Sequence, residues 1–401
     1  MGCTPCKRNP QSSPTAEDYN GDIFSQISSD TRRASHKISL QEQDIILSTL
    51  NQLQFLEDSN RKLHWFHVIQ NEVLYPLVKI YYKALTLGSF TPDPAIVDTL
   101  RVKDFDHFRL DHEQMIVHLM HCFYDPALAQ RVGLSQLEKF IKTVGINYLD
   151  NPFHNFRHAF SVVQIIYSMS AITNEFVAHL KPLEYFTLLV AAVGHDIDHP
   201  GVTNAFLVNS RHCLAKRYND TSVLENHHTA TLLKILETED TGLLSTFSSD
   251  IQRNCRKSII QTILSTDLAN HNSVMASFSS TVSGFQPENA VHRQNIMNML
   301  LHTADVGNPC LDFSIAKQWS MKIIAEFNSQ VLQEEDLKLP VSEFLRIGTE
   351  LPSIKKSQVG FIDFIILPLW KLVEVAYPEL QAYKKTTEAN RETWANLQVL
   401  D

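Results

Sequence analysis

Apolar residues recur along this chain at helical intervals. Ile46, Leu50 and Leu53 keep a spacing of three to four, and Leu63, Phe66, Ile69, Val73, Leu77 and Ile80 continue it. That period marks amphipathic helix, because residues three and four apart share a face. The breaker cluster GSFTPDP (88–94) interrupts the pattern, and from about 95 to 395 helix follows helix. Asn151-Pro152 is read as opening one helix, which SVVQIIYSM continues with a buried face. A second runs from Pro182 through LEYFTLLVAAVGHD, its apolar run from Tyr185 to Val193 ending at a His-Asp pair. A third, VHRQNIMNMLLHTADVGNP, ends the same way at Asp305, with Gly307 and Pro309 to stop it. Strand alternation between Gly-rich turns is missing, and glycine is scarce, at 12 of 401 residues. The fold class predicted is all-α. Residues 1–40, polar and rich in Ser, Asp and Asn, read as a disordered tail, 41–94 as a helical extension and 95–401 as the main domain. The stripe in 41–94 serves either packing on the main domain or pairing of two chains as a homodimer.

Composition narrows the function. Hydrophobic residues make up 44% of the chain, enough for a large core, and the net charge of −9 argues against a nucleic-acid partner, whose phosphates require clustered Lys and Arg. An acidic protein can still hold an anionic substrate where metal ions dominate the local field. Cys3 and Cys6 form one C-x-x-C with no second pair to complete a zinc site; the other cysteines read as free thiols in a reducing cytosol. No apolar run reaches eighteen residues, so the expected location is cytoplasmic. The start MGCTPCKRN adds an alternative. Gly2 and Cys3 are placed for two acyl chains, with Lys7 and Arg8 beside them, which would anchor the protein to the inner face of a membrane; Cys6 stands where the myristoylation pattern has Ser or Thr. Arg32-Arg33-Ala34-Ser35 has the form of a basic-directed phosphorylation site.

The chemistry concentrates in two stretches and one helix end. NPFHNFRHAF carries His154 and His158, four apart, and AAVGHDIDHPG carries His195, Asp196, Asp198 and His199. On continuing helices each i, i+4 pair would share a face. Asp305 closes the third apolar helix. Each histidine alone is more often a structural residue. Together, the order H…HD…D on helices is the pattern of a metal-dependent phosphohydrolase, since imidazoles and carboxylates that converge hold divalent ions.

Six ordered segments carry a closer likeness: HNFRHA (154–159), HDIDHPGVTN (195–204), YNDTSVLENHH (218–228), STDLANH (265–271), HTADVGNP (302–309) and SQVGFIDF (357–364). In these the chain resembles the catalytic domain of class I cyclic nucleotide phosphodiesterases. NPFHNFRH looks most like their cGMP-selective, high-affinity branch, whereas HTADVGNP looks more like other branches. The resemblance implies that His158, His195, Asp196 and Asp305 hold a tighter ion, Zn²⁺, and that Asp196 bridges to a second, Mg²⁺ or Mn²⁺. It implies water-binding roles for His199, Glu225 and Thr266, and a general acid, His154, oriented by Glu326. It places the purine against Gln358 and Phe361, with Asn308 and Ile323 beside them. From the residues alone, Phe361 reads as core packing in an apolar helix with Phe364 and Ile365.

The implied reaction makes physical sense. Two cations neutralise a phosphodiester and supply hydroxide at neutral pH, and an alkoxide leaving group needs a proton donor such as histidine. His154 would serve from the helical face of His158, at a different height. The product would be a nucleoside 5′-monophosphate. Two competing readings are a related hydrolase acting on a nucleotide that is not cyclic, and a protein that binds cyclic nucleotide without turnover or acts as a scaffold.

Overall fold

The computed structural model describes residues 90–173, 178–238 and 241–398. The readings that fall on residues 1–89 (the tail, the acylation and phosphorylation motifs, the pairing stripe) lie outside the described residues. Every regular element among the described residues is helical.

The helix Phe156–Ile172 runs through the core with Phe160, Val162, Val163 and Ile165 wholly buried. It packs against the helices His112–Phe123, Pro182–Gly194 and Ala290–Asp305. Pro182–Gly194 is a core helix rather than an amphipathic one: every residue from Phe186 to Gly194 is buried. Pro182 occupies its first turn, as predicted, where a missing N–H costs nothing. At its far end a Cβ on Gly194 would lie 2.6 Å from the Leu232 side chain. Glycine there admits the helix Val223–Glu237 at close range, which brings that helix to the metal-type residues. The long helix Phe313–Asp336 turns Trp319, Ile323, Glu326 and Gln330 toward one cavity, at intervals of four, three and four.

Two predicted helices differ from expectation. The helix read from Asn151-Pro152 starts at Phe156. The Asn155 side chain caps it, accepting from the amides of Arg157 (2.9 Å) and His158 (3.2 Å), while the amides of Phe153 and His154 go to Glu326 instead of a helical pattern. His154 therefore precedes the helix, and the shared face with His158 does not exist. Likewise Pro182–Gly194 does not continue to His199. It ends at His195, and Asp198 turns the chain with φ of 60°.

The core-packing alternative holds for Phe361 and Ile365 and fails for Phe364. After the helix Leu351–Phe361 the backbone widens into a π turn, Ile362–Ile366, in which the Leu367 amide donates five residues back to Ile362. Pro368 follows and has no N–H for an ordinary helical bond. Phe364 consequently points to solvent, 80% exposed, while Phe361 and Ile365 stay partly buried against the core.

Candidate active site

Three helix ends deliver four side chains to one point. His158 sits in the first turn of its capped helix and is fully buried. His195 follows Gly194, and its Nδ1–H donates to the Ala192 carbonyl at 2.8 Å, which turns Nε2 toward Asp196 and Asp305. Asp305 is the last residue of Ala290–Asp305. His158 Nε2 lies 3.0 Å from Asp305 Oδ1 and 3.4 Å from Asp196 Oδ2; His195 Nε2 lies 3.2 Å from each of the same two oxygens. One donor atom from each of the four falls within 4.8 Å of the rest.

The electrostatics of this cluster ask for a cation. Burial disfavours the charged form of Asp196, yet the charge of His195 and hydrogen bonds from His158 and His195 hold its carboxyl well below the usual range. Asp305 is lowered in the same way. Burial likewise works against a charged His195, and the two carboxylates overcome it and raise its pKa well above the ordinary value. A proton thus sits where a divalent ion would neutralise both acids more completely. Two imidazole nitrogens and two carboxylate oxygens suit Zn²⁺ or a neighbouring transition ion, and ligation would displace the proton.

His154 is placed by Glu326. Its Nδ1 is hydrogen-bonded to Glu326 Oε1, and Oε2 accepts from the amides of Phe153 (2.9 Å) and His154 itself (3.0 Å). Burial lowers the pKa of His154, but the Glu326 charge and hydrogen bond, helped by Asp196 and Asp305, reverse this and raise it to about 9. The His154 ring stacks on His199, centroids 4.1 Å apart and planes 16° apart. His199 is held in the neutral form, its pKa pushed well down by burial and then by His154.

Around Asp196 lie further polar groups. Glu225 accepts from the Asn204 amide at 3.0 and 3.3 Å, and burial, then the charge of Asp267, lifts its pKa to about 7. The Thr266 hydroxyl donates to Ile263 O at 2.8 Å, so it presents acceptor lone pairs to the cavity. His228 received no role from the sequence. Its Nδ1–H donates to Ile197 O at 2.7 Å, and its Nε2, without a hydrogen-bond partner, lies 3.7 Å from Asp196 Oδ1. The i, i+3 spacing from Glu225 on Val223–Glu237 was the available signal for it.

These groups floor a cavity of about 430 Å³, which Asp196 and Asp305 line directly, with His158 and His195 buried behind them. Asn308, Ile323, Gln358 and Phe361 line it as well. Gln358 is buried, and its Oε1 accepts from the Ser320 hydroxyl at 2.7 Å, a partner the sequence did not suggest. The buried Asn308 Oδ1 has no partner.

The geometry joins a metal-type cluster to a mainly apolar cavity in which the Gln358 amide is held by Ser320, and comparison with known proteins agrees. The model of the 3',5'-cyclic nucleotide phosphodiesterase family matches residues 153–387. The chain belongs to that family. The human high affinity cGMP-specific 3',5'-cyclic phosphodiesterase 9A is 31% identical over 298 residues, which are 74% of this chain and 50% of that protein. A Drosophila melanogaster 3',5'-cyclic-AMP phosphodiesterase, isoform F, is 35% identical over 271 residues, 64% of this chain and 40% of that one. The crystal structure of the phosphodiesterase domain of Salpingoeca rosetta rhodopsin phosphodiesterase aligns with a TM-score of 0.70 at 34% identity, covering 74% of this chain and 91% of the other. The chain spans about half the length of the curated relatives it matches. The match to the phosphodiesterase family contains every candidate side chain described above, so its signature and the cavity coincide.

Proposed function

We propose that this chain hydrolyses a 3',5'-cyclic nucleotide, cGMP or cAMP, to the nucleoside 5'-monophosphate, using two divalent ions. The observation that carries the reading is the meeting of His158, His195, Asp196 and Asp305 at the floor of a cavity that also holds Gln358 and Phe361. Those four donors would hold Zn²⁺. Asp196, with its second oxygen turned toward His228, would share a Mg²⁺ or Mn²⁺ whose other ligands are mostly water. When bound, the ions would neutralise the phosphodiester and make a water nucleophilic at neutral pH.

The protein's own groups do the rest. His154 is the proton donor to the departing sugar oxygen. Its Nδ1 is engaged by Glu326, so Nε2 carries the transferable proton, and the carboxylate keeps the ring protonated at neutral pH. His199, Glu225 and Thr266 border Asp196 and orient waters there. The Gln358 amide fixes the purine edge, the Phe361 ring covers its face, and Asn308 and Ile323 complete the slot. Three further proposals rest on the sequence alone: acyl chains on Gly2 and Cys3, pairing through 41–94, and the division near residue 94. Among the described residues no helix is long and apolar enough to cross a membrane.

The test is formation of 5'-monophosphate from cAMP and from cGMP, with Mg²⁺ present and then with a strong chelator. Chelator-sensitive turnover supports the reading. No turnover of either by metal-loaded protein sinks it and favours a binder without catalysis; turnover of non-cyclic nucleotides alone favours a different hydrolase.

A further inference from the structure

His154 and His199 both lie outside helices, yet their rings stack face to face. Something must register the turn that carries one against the turn that carries the other. Asn151 makes that connection. Its Nδ2 donates one hydrogen to the His154 carbonyl (2.9 Å) and the other to the His199 carbonyl (2.7 Å). Both partners are acceptors only, so the amide can face them only with its nitrogen. Its Oδ1 turns to Gly201, in the left-handed region at φ of 73°, where any Cβ would come within 2.9 Å of it. The Asn151 carbonyl accepts from Asn155 Nδ2 at 2.7 Å, and Asn155 caps the helix that holds His158. Three parts of the site therefore meet at one half-buried residue: its side chain ties the turn of His154 to the turn of His199, and its backbone carbonyl takes the cap of the helix of His158.

We infer that Asn151 is a positioning residue for the reaction. It sets the height and tilt of His154 over the cavity by tying the His154 carbonyl to the 195–201 turn. Glu326 alone leaves that freedom, because its three hydrogen bonds reach the His154 ring and the two amides but nothing on the 195–201 turn. The inference rests on the proposed function, in which His154 donates a proton. Asn151 is not among the residues lining the cavity, and its effect passes through His154.

The experiment is a double-mutant cycle on the full chain, with Asn151→Ala, His154→Ala and the double variant assayed on cGMP and cAMP and metal content measured for each. Displacing a donor by about an ångström costs up to about 10²-fold. Asn151→Ala should therefore lower kcat roughly 10- to 100-fold, with KM within about threefold and metal content as in the unmodified chain. In the His154→Ala background the same change should cost less than about threefold, since the group it positions is gone. Asn151→Asp, equal in size but without N–H donors, replaces Asn151→Ala if the latter does not fold and should show the same non-additivity. Multiplicative losses, an unchanged kcat in Asn151→Ala, or loss of metal from that variant would each overturn the inference. Absence of turnover in the unmodified chain would instead remove the proposed function, and this inference with it.

Discussion

His154 and Glu326, 172 residues apart in the chain, share one carboxylate between a ring nitrogen and two backbone amides. The arrangement does two things at once: it pins a non-helical turn, and it sets the charge of the histidine. Burial opposes charge on Glu326, but the neighbouring His154 outweighs it and draws the carboxyl down to about 2.

Glu326→Gln keeps the shape and removes the charge. A donor works only while protonated, and Glu326 raises the pKa of His154, so the variant should lose its activity at lower pH on the alkaline side. A kcat profile across neutral pH checks this, and an unmoved basic limb would count against the pairing. His154→Ala should retain its metal and lose roughly 10²- to 10⁴-fold in kcat; near-normal kcat would end its assignment as the acid.

Metal binding should be visible in stability. An ion present at about a hundred times its Kd contributes about 2.7 kcal/mol, which corresponds to a rise of several degrees in Tm. Chelation should lower Tm and abolish turnover together, and adding Zn²⁺ with Mg²⁺ or Mn²⁺ should restore both. His195 must give up its proton to ligate, so apparent affinity should fall as pH falls. A Tm indifferent to chelator would argue against a resident ion.

The Ser320 hydroxyl lies 2.7 Å from Gln358 Oε1 and 2.9 Å from the Ala316 carbonyl, and it has a single hydrogen to give. When that hydrogen goes to Gln358, the amide nitrogen faces the cavity as donor. Ser320→Ala removes the constraint, and the ratio of kcat/KM values for cGMP and cAMP should move toward one, by about fivefold or more. Gln358→Ala should raise KM more than it lowers kcat, as loss of ground-state binding does. Unchanged values in both variants would take the purine away from this end of the cavity.

His107 tests the core rather than the site. It is wholly buried with Nε2 2.9 Å from Gln164 Oε1, and burial, against the Gln164 hydrogen bond, lowers its pKa to about 4. Between the unfolded value of 6.5 and about 4, the unfolded chain binds the proton and the folded one does not. Its contribution is therefore complete above 6.5 and is lost as pH falls toward 4, by about 3 kcal/mol at most. His107→Gln should flatten the decline in urea stability between about pH 7 and about pH 5. A slope as steep as before would place the acid sensitivity elsewhere.

The all-helical class, the core run before His195, the arrival of Asp305 at a helix end and the family likeness were legible in the amino-acid order. Each depends on periodicity or on short contiguous segments, and those are local properties of a chain. The order of residues also identified the groups that would meet, since the H…HD…D pattern already contains them. It did not say how they are held. The i, i+4 spacings of His154 with His158 and of His195 with His199 suggested shared helical faces. Instead Glu326 accepts from the Phe153 and His154 amides and Asn151 donates to the His199 carbonyl, tertiary hydrogen bonds that take up backbone groups a helix would have used, while Asn155 starts the helix locally as its cap. The lock of Ser320 on Gln358, the approach of His228 to Asp196 and the outward turn of Phe364 were likewise decided only in three dimensions. A hydrogen bond between residues 38 or 172 positions apart depends on where whole helices pack, and no local period encodes that distance.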